Sequence, residues 1–209
     1  MGDINKITVF MRIIFLLISC FLGLNMMCTA GNAFPCKDAN TVISKAVENP
    51  NLIYTTYIGM PEEKLIRNMQ KITNSSDWSF DLENHEYEGD VYKDYTLERG
   101  SSTENSVKEI LRIGVHSGYV TGISLKYRTA SQKTAESLYY TATHKYTTKI
   151  GPPFRANRLT PVPGVYYMSQ YWKTDQFYYA IHYQSGDINI YTGKKDNIRT
   201  IEIITYHIK

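Results

Sequence analysis

Cysteine is scarce, and the spacings that most site chemistry requires are missing. Cys20, Cys28 and Cys36 are the three cysteines. None forms a Cys-x-x-Cys pair, which excludes a zinc ribbon and a thioredoxin-like redox motif. There is no His-x-x-x-His, no His-Glu-x-x-His and no Gly-x-Ser-x-Gly, so the usual local signatures of a zinc hydrolase or a serine esterase are absent. Gly114, Gly118 and Gly122 recur every four residues, but in a strand–turn–strand pattern and not ahead of a helix, where a phosphate cradle would lie. A strong charge of one sign is missing too. With 23 Lys+Arg against 20 Asp+Glu the net charge is +3, which gives no reason to expect nucleic acid. No cofactor and no metal is expected from this pattern. Apolar residues at 43% and charged residues at 21% exclude wholesale disorder.

Long apolar runs are confined to the N-terminus. Ile13 to Cys28 carries no charge, follows Lys6 and Arg12, and leads into Thr29-Ala30-Gly31-Asn32-Ala33. Basic flank, apolar core and small-residue end are the parts of a secretory signal peptide. Gly31 and Ala33 fit the −3 and −1 positions of a peptidase site, so residues 1–33 are expected to leave and free Phe34. Cleavage after Ala30 is a second option. The alternatives are an uncleaved anchor through residues 7–28, or lipidation at Cys20 after Leu17-Ile18-Ser19. The protein is accordingly expected to be exported, periplasmic or secreted, with membrane contact only through this segment if it is kept. Cys36 then remains as a single thiol that cannot close an internal disulfide.

The rest of the chain alternates between two periodicities. Ala39, Val42, Ile43, Ala46 and Val47 predict a helix over 38–48, ended by Asn49-Pro50. A second helix begins at Pro61, with Glu62 and Glu63 in its first turn and Leu65, Ile66, Met69 and Ile72 as its stripe. Period two follows. Strands are expected at Trp78–Leu82 and Val91–Leu97, joined by an acidic loop at 86–90. Val107–Val115 and Tyr119–Tyr127 should form a hairpin turning at His116-Ser117-Gly118, with His116 solvated. The best helix spans 131–149, with Ser131 as N-cap and Gly151-Pro152-Pro153 as its stop. Pro152, Pro153, Pro161 and Pro163 make 151–164 read as a rigid connection. Four strands then finish the chain: Val165–Trp172, Phe177–Tyr183, Asp187–Tyr191 and Arg199–Ile208.

This order predicts an α+β fold of antiparallel sheet meanders with about three helices packed on one face. It reads either as two tandem helix-plus-four-strand units, 34–130 and 131–209, or as one continuous domain.

Tyrosine is abundant. The chain holds 18, none before residue 54, and they crowd the C-terminal strands. Alternation places Phe177, Tyr179, Ile181 and Tyr183 on one face and Tyr178, Ala180 and His182 on the other. In the preceding strand Tyr166, Met168 and Trp172 oppose Tyr167 and Tyr171. One face must serve the core, and the other then carries uncovered aromatics. Such rings offer large contact area at low entropic cost, although tyrosine also favours strands for its own sake. The reading is an exported, non-enzymatic binding domain of the bacterial envelope or secreted fraction. Its ligand-binding surface would centre on Tyr171, Trp172, Tyr178 and His182, and its partner would be a protein or glycan of the envelope. The alternatives are a secreted hydrolase using His182 with Asp175 or Asp187, and a membrane-tethered structural envelope protein.

Overall fold

Period-two patterning carries most of the chain into strand. The computed structural model describes residues 34–35, 39, 41, 52–75, 77–186 and 196–207. The elements in chain order are β1 (Phe34–Pro35), β2 (Leu52–Ile53), β3 (Thr56–Tyr57), α1 (Glu62–Ser75), β4 (Ser79–Tyr87), β5 (Asp90–Gly100), β6 (Ser106–His116) and β7 (Tyr119–Thr129). They continue with α2 (Gln132–Ile150), β8 (Arg155–Val162), β9 (Val165–Lys173), β10 (Phe177–Gln184) and β11 (Arg199–His207). The main sheet runs β4-β5-β6-β7-β11-β10-β9-β8, and β1 adds to β6. All its pairings are antiparallel. The fold is therefore α+β and dominated by antiparallel sheet. The sheet is continuous across residue 130, because the last strand of each meander, β7 and β11, pair with each other.

Local chemistry explains the ends of these elements. Ser131 Oγ accepts the Thr134 N–H at 3.2 Å and caps α2. Gly151, at φ 106, ends it by donating its N–H to Thr147 O at 3.0 Å. Two hairpins turn on paired left-handed residues, Glu88-Gly89 (φ 51 and 83) and Ser117-Gly118 (φ 52 and 78). That geometry matches the twist of the flanking strands. The segment before α1 is fixed to β7, since Gly59 N–H donates to Val120 O at 2.8 Å and Val120 N–H to Met60 O at 2.9 Å.

One sheet face holds the core. Leu97, Leu111, Leu125, Ile203 and Ile181 stand in register across β5, β6, β7, β11 and β10. All five are fully buried, and each contributes about 1.5–3 kcal/mol on burial. Helix α2 lies over β11, β10, β7 and β9, and inserts Leu138, Tyr139, Ala142 and Tyr146. Helix α1 supplies Leu65 and Met69 to the same core.

Three expectations change. Residues 155–162 form edge strand β8 and not a bare connection. An outer strand tolerates proline, and the register of β8 shifts between Leu159 and Val162, around Pro161. Glu86 lies within β4, so the acidic turn shrinks to Glu88-Gly89. His116 closes β6 and is not solvated. Its side chain is 15% exposed, stacks on Tyr92 with centroids 4.4 Å apart, and sits 3.3 Å from an Asp90 oxygen. The helix expected at 38–48 lies outside the described residues except for Ala39 and Thr41, which are helical. The export segment at 1–33 and the strand expected at Asp187–Tyr191 also lie outside them.

Candidate functional site

Alternation fixes what the second sheet face carries. The row one step out of phase with the core reads Glu98, Ile110, Lys126, Glu202, His182, Ser169 and Asn157 from β5 to β8. Neither α1 nor α2 covers it, since both pack into the core on the other side. A pocket of about 250 Å³ opens on this face, with walls that include Lys126, Arg128, Tyr167, His182 and Glu202.

A cation and a carboxylate pair within the pocket. Lys126 Nζ lies 3.5 Å from Glu202 Oε1, which also accepts the Ser124 hydroxyl at 2.5 Å. The Tyr167 phenol is pushed up to about 12, first by burial and then by the charges of Tyr171 and Glu202. It therefore stays a neutral donor at physiological pH. His182 is held below its ordinary value. Burial is the main cause, and Lys126 adds to it against an opposing pull from Glu202. The imidazole is accordingly neutral near pH 7, and its Nε2 lies beneath the surface with no hydrogen-bond partner.

Beside the pocket the aromatic rings join. Tyr167 and Tyr171 flank His182, with centroids 5.4 and 5.7 Å away. Phe154 bridges Tyr171 and Tyr178 at 6.4 and 6.1 Å, and Tyr178 stacks on Tyr206 at 5.2 Å and 19°. The result is a continuous ribbon from the pocket toward one end of the sheet. Phe154 is 60% exposed and Tyr206 43% exposed. Arg155 and Lys173 place cations over Tyr171 and Tyr178, 5.9 and 5.1 Å from the ring centres.

Of the four residues singled out from the sequence, Tyr171, Tyr178 and His182 share this face. Trp172 does not, and this is a correction. It is 1% exposed, packs on Tyr146 at 5.3 Å, and donates its indole N–H to Gly151 O at 3.0 Å. An odd-numbered step along β9 separates it from Tyr171, so the two point to opposite faces. Trp172 is a core residue that ties β9 to the end of α2.

The pairing of His182 with Asp175 is not formed either. Asp175 sits in the β9–β10 turn, and roughly 16 Å of strand separates Phe177 from His182. Asp187 lies outside the described residues. The structure instead aligns Ser169, His182 and Glu202 on three adjacent strands. No hydrogen bond links them, the Ser169 hydroxyl has no partner, and that residue is 1% exposed. A substrate carbonyl has no path to this oxygen, so the row lacks the geometry of an activated nucleophile. His85 stands 3.5 and 3.6 Å from Glu83 and Asp94 at the far edge, while His144 and His207 are exposed.

A second polar cluster lies inside the core and was not anticipated. Glu109 is fully buried. Its carboxylate accepts Arg99 Nε at 2.6 Å, the Tyr54 hydroxyl at 2.7 Å and the Tyr127 hydroxyl at 2.8 Å. Arg99 also lies over Trp78, 4.5 Å from its ring centre. Burial, and then the Glu109 charge, hold both tyrosines far above the ordinary phenol value, so each remains a donor. The sequence carried a signal for this cluster. Val107, Glu109, Leu111, Ile113 and Val115 form one inward phase, and a glutamate there needs a buried cation.

No protein-family model matches this chain, and no match is found among curated proteins or solved structures.

Proposed function

We propose that the chain is an exported, non-enzymatic binding domain of the bacterial envelope or secreted fraction, which uses the open sheet face as its contact surface. One observation carries this reading. Six rings, Tyr167, His182, Tyr171, Phe154, Tyr178 and Tyr206, run together on a face that neither α1 nor α2 covers, and they lead into a polar pocket. Uncovered aromatic rows beside polar side chains are the composition of recognition surfaces.

The architecture suits such a role. We read it as two tandem helix-plus-four-strand units, α1 with β4–β7 and α2 with β8–β11, joined where β7 meets β11. Residues 38–48 would supply a third helix. Both helices stiffen one face, and among the described residues neither covers the other, which suits it to a partner. Export rests on the N-terminal segment alone; among the described residues no helix is long and apolar enough to cross a membrane.

The test is capture. The immobilised chain should retain an envelope component from a solubilised bacterial extract, and the double variant Tyr171→Ala/Tyr178→Ala should lose it while melting cooperatively. Equal retention by the folded variant overturns the reading. Expression in a bacterial host, followed by fractionation and intact mass, tests export: a product starting at Phe34 or Gly31 supports a cleaved signal, and a membrane-bound full-length chain supports the tethered alternative.

A further inference from the structure

We infer that the free edge of β4 accepts an extended polypeptide as a further strand, one whose side chains alternate between apolar and basic. This edge lies at the opposite end of the sheet from β8 and is separate from the aromatic ribbon. The inference therefore goes beyond the proposed function and does not rest on it.

The backbone supplies the first part of the argument. β4 is the last strand on its side of the sheet, and among the described residues only β5 pairs with it. All nine of its residues are exposed. Leu82 N–H donates to Asp81 Oδ1 at 2.9 Å, a side chain of its own strand, and so faces the free edge and not β5. An edge of this kind is a template for strand addition. Main-chain hydrogen bonds then give affinity, and pockets for alternate side chains give specificity.

The side chains supply the second part. Phe80 and Leu82 stand opposite Leu97 and Tyr95, and so share the phase that faces the core. Beside them a groove of about 220 Å³ opens between α1 and β4, with walls that include Ile66, Met69, Thr73, Trp78, Phe80 and Tyr95. Ile66 and Phe80 are both exposed, so the groove is open to apolar side chains from an added strand. The other phase is acidic. Glu83 stands opposite Asp94 of β5, and His85 lies 3.5 Å from the first and 3.6 Å from the second. One imidazole thus meets two carboxylates, and Asp81 is a third acid on the same phase. Basic side chains of the added strand would stand opposite Asp81 and Glu83, and cross-strand pairs of opposite charge stabilise a sheet. A second copy of the chain is the poorer occupant, because pairing β4 with β4 about Leu82 or Glu83 sets carboxylate opposite carboxylate.

The probe is a capped heptapeptide of alternating lysine and valine, titrated against the full-length chain and followed by calorimetry and amide exchange. It should bind, and it should slow exchange at the Leu82 amide while leaving the β8 edge unchanged. The counterpart of alternating glutamate and valine should bind about tenfold more weakly. A lysine–valine peptide with two central prolines keeps its charge but cannot join a ladder, and it should not bind. Asp81→Asn/Glu83→Gln should weaken binding about fivefold, the scale of two cross-strand charge pairs. Leu82→Pro removes an N–H that β5 does not use, so an edge strand should tolerate it while binding is lost. Should that variant not fold, the exchange pattern of the parent still decides. Tyr171→Ala/Tyr178→Ala lies on β9 and β10, away from β4, and should bind the peptide as the parent does, so this experiment and the capture experiment fail independently. Equal binding of the proline-interrupted peptide would mean simple charge attraction and overturns the inference. So does equal binding of the glutamate peptide, absence of binding, or binding that leaves the Leu82 amide unprotected. Dimerisation of the chain that protects the same amide would make a second copy the occupant and overturns it as well.

Discussion

His182 and Glu202 stand directly opposite each other on β10 and β11, yet they share no hydrogen bond. Glu202 turns to Ser124 and Lys126 instead. The imidazole is left between Tyr167 and Tyr171, in surroundings that disfavour its charged form. An ion-paired histidine would have its proton affinity raised. Here burial outweighs the neighbouring carboxylate, and the sign of the pH dependence follows from that.

The folded state takes up a proton at His182 only below the ordinary histidine value of about 6.5, which the unfolded chain retains. As pH falls through that value the unfolded chain binds a proton that the folded chain refuses. Stability should therefore fall between neutral pH and the lowered folded-state value, and level off below it. Glu202, Lys126, Arg128, Tyr167 and Tyr171 are the titratable or charged groups about the ring among the described residues. The other histidines are the same in both proteins, so whatever they contribute cancels in the comparison. Thermal melts at pH 7.5 and 5.5 should show a smaller drop for His182→Gln than for the parent. An equal drop would show that His182 does not drive the acid destabilisation.

Trp172 and Tyr178 are aromatic residues six positions apart with opposite fates, and their substitutions should separate cleanly. Trp172→Ala removes a fully buried ring and its hydrogen bond to Gly151 O, at a cost of about 3–5 kcal/mol. Tyr178→Ala removes a half-buried ring from the open face and its stack on Tyr206, at a cost of about 1 kcal/mol. Denaturant melts should show that difference in midpoint. A Trp172→Ala protein as stable as its parent would contradict the packing described for β9 and α2.

Local signals made much of the fold readable. The β6–β7 hairpin announces itself by alternation and the Ser117-Gly118 turn, and α2 by Ser131 at one end and Gly151 at the other. What escaped was nonlocal or masked by composition. The pairing of β7 with β11 joins strands separated by α2 and another meander, and no periodicity encodes it. Proline hid β8, because an edge strand tolerates a residue that a central strand would exclude. At the site, alternation did separate Tyr171 from Trp172, and density of aromatics alone placed both on one surface. Lys126 and Arg128 went unnoticed because a cation on a polar strand phase looks like ordinary solvated surface until β11 brings Glu202 beside it.

Glu109 gives the sharpest test of the interior. It lies fully buried among Arg99, Tyr54 and Tyr127 and accepts from all three. Tyr54 belongs to the β2–β3 turn and holds an unfavourable φ of 55, so the bond to Glu109 ties that turn to the sheet. Glu109→Ala leaves the guanidinium without its carboxylate and two phenols without an acceptor. Breaking one side of a buried pair costs about 3–5 kcal/mol. Removing both charged partners should cost less than the sum of the single changes, because neither is then left alone. A double-mutant cycle with Glu109→Ala and Arg99→Met, read by urea unfolding, should return a coupling of about 1–3 kcal/mol. Amide exchange at Thr55 and Thr56 should also quicken in the Glu109 variant relative to strand β9, because the turn loses its anchor while the distant strands keep theirs. Additive effects with unchanged local exchange would mean that the cluster neither couples its charges nor holds the turn.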